Sequence, residues 1–284
     1  MLRFITIFTV VSFVLFVGAV YWVGDILTKP SRVVTGSPPT ELGGRNLTFQ
    51  SGTGTTLSGW FFPGISGRGA ILLLHPIRSN KRDMLPRARF LIHEGFSVLL
   101  VDLQAHGESS GERITFGYRE AKDIEVAIKK LKSLAPGEKI GAMGVSLGAA
   151  SLLFSGKHSS FSAIVFESLY STIDEAVTNR LQIYLGSSGS LLTPLLLSQL
   201  NWRLGIPPDK LRPIDLVSEL QVPVLIVHGT EDRHTTLLEA EQLFAAIPGP
   251  KEFYRVRGAA HVDLHKHVGD EYEQRIVSFF THHL

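Results

Sequence analysis

The chain has 284 residues, 44% of them hydrophobic, and a net charge of +2, which suits one large α/β domain with additions or at most two small domains. The balanced charge, with no basic stripe interleaved with aromatics, argues against a nucleic-acid binder. The absence of cysteine excludes a disulfide framework, a thiolate nucleophile and a cysteine-ligated metal.

Residues 1–28 form a separate unit. Phe4 to Gly24 carries no charge, and roughly 20 such residues cross a bilayer as a helix. Tyr21 and Trp22 stand at its far end, where interfacial aromatics gather. The rival reading is a cleaved secretory signal. Its apolar region should be shorter, and the small residues Val17-Gly18-Ala19 fall inside the run rather than after it. The expectation is a single-pass anchor. Arg3 stands on one side and Lys29 and Arg32 on the other, so positive charge barely discriminates orientation. The very short basic tail favours a cytoplasmic N-terminus, with the rest of the chain extracytoplasmic. Residues 29–45, rich in Pro, Gly, Ser and Thr, read as a linker.

From residue 46 to 284 apolar runs alternate with helical patterns. "TLSGWFF", "GAILLLH", "FSVLLVDL", "KIGAMG", "FSAIVFE", "VPVLIVHG" and "EFYRVRG" read as strands, several of them apolar throughout, as strands buried on both faces are. Ala121, Ile124, Ile128 and Leu131 mark one helical stripe, and Tyr272, Ile276, Phe279 and Phe280 another. The alternation predicts an α/β fold: a mostly parallel sheet with helices on both faces. Uneven strand spacing and a long helical insert argue against a barrel.

"GVSLG" places Ser146 between Gly144 and Gly148, after an apolar strand and before a helix. A strained strand-to-helix elbow needs small residues two before and two after its serine. The backbone N–H of Leu147 would then face a substrate oxygen. On this stretch alone a serine that only caps the helix explains the pattern equally well. Asp232 and Glu231 end a strand in "VPVLIVHGTED", where functional residues of open α/β sheets collect. Helix capping is the plain alternative for Asp232. Glu167, ending "FSAIVFE", is a second candidate acid. Among the 11 histidines, His261 follows a strand and a small-residue loop, downstream of Asp232. The order Ser146, Asp232, His261 suits nucleophile, orienting acid and general base. A second oxyanion donor should lie in the loop after "AILLLH", and the N–H of Ile77 is the candidate. His75 reads as a structural residue there, and Arg78, Lys81 and Arg82 as a solvated helix start.

These pieces resemble the α/β-hydrolase superfamily. The matching stretches are "LLLHPIRSN", "VDLQAHGESSGE", "GVSLG", "HGTEDRHTT" and "GAAHVDL", spread from Ala70 to the C-terminal region. The closest likeness is to the branch that includes serine aminopeptidase-like and monoacylglycerol-lipase-like hydrolases. One departure is His75-Pro76, where the family usually has His-Gly; the family pattern puts the donor one residue later, at Ile77. The resemblance implies an α/β-hydrolase fold and a serine hydrolase using Ser146, Asp232 and His261, with Ile77 and Leu147 as oxyanion donors and no metal or other cofactor. It gives Asp102 and His106 structural roles. Acyl esters are the expected substrates. A peptidase or amidase on the same fold is the alternative, and a membrane-tethered, non-catalytic binding protein is a third reading.

Residues 172–211 form an insert too long for an ordinary connection. Leu192, Leu196, Leu200 and Leu204 recur on one helical face, with Trp202 widening the apolar surface. A helix packed on the sheet would show the same pattern. The functional expectation is a cap in which Leu196 and Trp202 line a pocket for a lipophilic acyl group.

Overall fold

The computed structural model describes residues 1–284. Its main sheet has eight strands: β1 (Arg45–Gln50), β2 (Thr56–Phe62), β3 (Ala70–Leu74), β4 (Ser97–Val101), β5 (Ile140–Val145), β6 (Ala163–Glu167), β7 (Val224–Gly229) and β8 (Lys251–Val256). They lie side by side in the order 1-2-4-3-5-6-7-8. β2 runs antiparallel to both β1 and β4, and all other neighbours are parallel. The sheet is therefore mostly parallel, as the alternating pattern predicts, with one antiparallel edge.

Strand periodicity divides the core. Leu72 and Leu74 point to one face with α3 (Ala121–Leu134), α4 (Leu147–Phe154) and α7 (Leu237–Ala246). Ile71 and Leu73 point to the other with α2 (Leu85–His93), the short α8 (Leu264–Val268) and α9 (Asp270–His283). Both helical stripes read from the sequence are buried against these faces.

Two sequence expectations change. Residues 29–45, read as a linker, are tied to the domain. Ser31 and Arg32 pair with His106 and Gly107, and the backbone amides of Thr35 and Gly36 donate to Glu108. Lys81 is not solvated. It is fully buried, and its Nζ donates to Asp102, Glu108, Thr35 and Ser58. The segment is thus pinned by a buried cation that the sequence placed at the surface.

The insert folds as α5 (Ile173–Leu185) and α6 (Thr193–Leu204), joined by a short 3-10 turn at Ser187–Leu192. Leu197, Leu200 and Leu204 of α6 pack with Ile173, Ile206 and Leu211 in a small core of their own. Helix α1 (Leu2–Thr28) is long and apolar enough to cross a membrane. It is exposed from Met1 to Ala19, and its last turns rest on α6.

Candidate active site

Ser146 stands at the junction of β5 and α4 with φ 48° and ψ −105°. An L-residue adopts that backbone only when its surroundings fix it. Gly148 allows the fix, since a Cβ there would lie 2.6 Å from the Leu74 carbonyl oxygen. A Cβ on Gly144 would strike the Gly148 backbone. The amide of Ser146 donates to the Glu167 carbonyl at 2.8 Å, which ties the elbow to β6.

His261 follows β8, and Asp232 follows β7. Their side chains meet: Nδ1 of His261 lies 2.7 Å from Oδ2 of Asp232. That carboxylate is buried and saturated. Oδ1 accepts from the amides of His234 and Thr235, and Oδ2 also accepts from the Thr235 hydroxyl. Burial alone would raise its pKa, but the hydrogen bond and charge of His261 and the Thr235 amide hold it below the ordinary carboxylate range. With Nδ1 donating to Asp232, the other ring nitrogen of His261 is left as the ring's acceptor. His261 and Ser146 line one cleft of about 530 Å³. Asp232, His234 and His261 gather donor atoms within 4.8 Å of one another. Both Asp232 oxygens are already committed, so a cation there would have to displace existing hydrogen bonds.

Glu167, the second candidate acid, is engaged elsewhere. Its carboxylate accepts from Arg87 at 2.7 Å and from the Tyr272 hydroxyl at 2.5 Å, with Arg87 also on Asp263 at 2.9 Å. Burial opposes the charge on Arg87, but Glu167, Tyr272 and Asp263 more than offset it and raise its pKa. This network joins α2, β6 and α9 to the loop that carries His261. Its role is to hold that loop.

The backbone amides of Ile77 and Leu147 donate to no protein acceptor. Ile77, Ser146 and Leu147 border one apolar cavity of about 170 Å³. His75 has the structural part expected. Nε2 accepts from the Leu103 amide at 3.0 Å and Nδ1 donates to the Pro76 carbonyl at 2.7 Å, shaping the loop before Ile77. Burial depresses its pKa to about 4. Asp102 serves the buried Lys81, and the His106 ring makes one hydrogen bond, from Nδ1 to the Gln104 carbonyl at 3.0 Å.

The cap residues chosen from the sequence are only partly placed by the fold. Trp202 is exposed and stacks on Tyr21 of α1 at 5.6 Å. It does not line the cavity beside Ser146, because it lies on the α6 face turned toward α1. Leu196 lines a small gap between α1 and α6 instead. Besides Ile77, Ser146 and Leu147, the cavity is walled by Leu27, Arg78, Phe116, Tyr170, Ile173, Ala176, Val177 and Arg180. Four of them sit on α5 at positions i, i+3, i+4 and i+7, a face that sequence reading could have found. Arg180 borders both the apolar cavity and the polar cleft. Its half-buried guanidinium forms no salt bridge, and burial lowers its pKa.

No family model matches the chain. It is 26% identical to the uncharacterized protein YqkD of Bacillus subtilis over 195 residues, covering 67% of this chain and 64% of YqkD. The chain thus spans less than two thirds of that relative. It is 23% identical to the uncharacterized protein YfhR of Escherichia coli over 285 residues, covering 95% and 93% of the two chains. Among solved structures it is similar to the Pyrococcus furiosus esterase Pf2001, with TM-score 0.74, 23% identity and coverage of 90% and 98%. The Paleococcus ferrophilus monoacylglycerol lipase gives TM-score 0.60 at 20% identity, with coverage of 80% and 99%.

Proposed function

On the α/β-hydrolase fold that this chain adopts, we propose a serine hydrolase that cleaves esters of apolar acyl chains. Ser146 attacks the acyl carbonyl while the free ring nitrogen of His261 takes its proton. Asp232 fixes the imidazole tautomer and stabilises its charge. The amides of Ile77 and Leu147 receive the developing oxyanion. His261 then protonates the departing alcohol, and water repeats the sequence on the acyl-enzyme, which releases the acid and restores Ser146.

The observation that carries this reading is the 2.7 Å contact between His261 and Asp232, with His261 sharing a cleft wall with the strained Ser146. The esterase and lipase names of the structural neighbours support an ester over an amide. The apolar cavity on the Leu147 side of Ser146 suits an acyl chain. The polar cleft on the His261 side, lined by Arg82, Asp83 and Lys266, suits a polar alcohol. We further take α1 as an uncleaved membrane anchor, on the length of its apolar run, with the hydrolase domain outside the cytoplasm, on the very short basic tail before that run.

A panel of p-nitrophenyl esters and aminoacyl anilides, assayed with the full-length protein in detergent, tests the reading. Turnover of esters that rises from acetyl toward medium chains is expected. A preference for aminoacyl anilides over every ester would assign a peptidase instead.

A further inference from the structure

We propose that the last turn of α1 is a wall of the acyl pocket, so that the anchor helix is part of the substrate-binding site. The alkyl chain of a single-chain lipid ester would enter along the seam between α1 and α6. This rests on the ester-hydrolase reading above and names where its substrate comes from.

The cavity beside Ser146 holds about 170 Å³, below the several hundred typical of a pocket that encloses a drug-sized ligand. A short acyl group fits, and a longer one has to continue beyond it. Leu27 of α1 lines that cavity. Leu27 also lines the small apolar gap between α1 and α6, together with Gly24, Leu196, Leu197 and Leu200. The cavity and the gap share Leu27, Phe116, Ile173 and Val177. These four apolar side chains stand between the cavity and the seam and border both, and the proposed route of the alkyl chain runs past them.

The seam is built rather than incidental. Asp25 pairs with Arg113 at 2.6 Å and with Arg203 of α6 at 3.3 Å. The Gln199 amide donates to the Val20 carbonyl at 2.9 Å. Gly24 lets Gln199 lie against the α1 backbone, since a Cβ there would collide with its amide group. Arg203 lies over the rings of both Tyr21 and Trp202, at 4.1 and 4.5 Å. The Tyr21–Trp202 stack sets the cap at the level of the anchor's aromatic end, where a bilayer meets water. On the anchor reading the seam would open at the membrane surface. On the far side of Ser146 the wall is charged and polar. The proposed apolar route and the polar cleft fit an ester with a single chain and a polar alcohol.

The test uses full-length protein in detergent micelles and compares kcat/KM for p-nitrophenyl acetate and decanoate. Leu27→Trp should narrow the path and lower the decanoate value about ten-fold more than the acetate value. Leu27→Ala should shift the preferred chain length upward. Val14→Trp, on the part of α1 that touches no other element, should leave the profile as in the wild type. Turnover whose chain-length profile neither Leu27 variant moves would overturn this proposal and leave the ester reading standing. A wild type with no Ser146-dependent ester turnover would overturn both.

Discussion

Arg87 holds Glu167 at 2.7 Å inside the protein, so this strand-end carboxylate is spent on structure while Asp232 is left to face His261. The two acids therefore fail differently when neutralised. Asp232→Asn should lower kcat by about four orders of magnitude with the fold retained, because the amide no longer fixes the imidazole tautomer. Glu167→Gln should leave a buried guanidinium short of its main partner and cost roughly 3 to 5 kcal/mol of stability. Its folded fraction should keep most of the wild-type kcat. Measuring kcat and thermal unfolding on both variants checks this, and a larger loss of turnover in Glu167→Gln would reverse the roles.

Arg180 is a half-buried cation with no protein carboxylate, set where the apolar cavity and the polar cleft meet. On the ester-hydrolase reading, the carboxylate of the acid product would face this cation. Arg180→Gln should weaken inhibition by decanoate about ten-fold, the scale of one charge-assisted hydrogen bond. Product-inhibition constants for wild type and variant decide this, and an unchanged constant would remove Arg180 from the product site.

His75 gives a pH signature in stability. Its folded pKa, about 4, lies below the unfolded 6.5. Its contribution is therefore complete above pH 6.5 and is lost as pH falls toward 4, where the unfolded chain binds a proton that the buried ring refuses. Between pH 7.5 and pH 5 the loss is roughly 2 kcal/mol. Asp123, raised to about 7 by burial, titrates in the opposite sense, so the difference between wild type and His75→Gln is the informative quantity. Urea unfolding in detergent at both pH values should show a smaller drop in stability for the variant. An equal drop would place the titration elsewhere.

The sheet and the catalytic candidates were legible because each is written locally. A strand buried on both faces must be apolar throughout, as Leu72–Leu74 and Val98–Val101 are. An elbow serine needs Gly144 and Gly148 for steric room. The α5 face beside Ser146 has a helical period, but that it borders this cavity, and that Leu27 joins it there, depends on how α5 and α1 lean against the domain. Trp202 shows the difficulty. A large aromatic on a leucine-rich helix reads as a pocket residue, but its face is decided by Tyr21, some 180 residues away in the chain. Lys81 likewise reads as solvated until Asp102 and Glu108 are brought around it by separate segments. Long-range pairing of charges leaves no periodic trace in a sequence.

The central claim, that Ser146 is an activated nucleophile, is tested most directly by labelling the full-length protein with a fluorophosphonate probe and locating the adduct by peptide mass spectrometry. The wild type should carry one adduct, on the peptide containing Ser146. Ser146→Ala should take up no label while unfolding at the same temperature as the wild type. A wild type that stays unlabelled, or a Ser146→Ala variant labelled as readily as the wild type, would contradict the account.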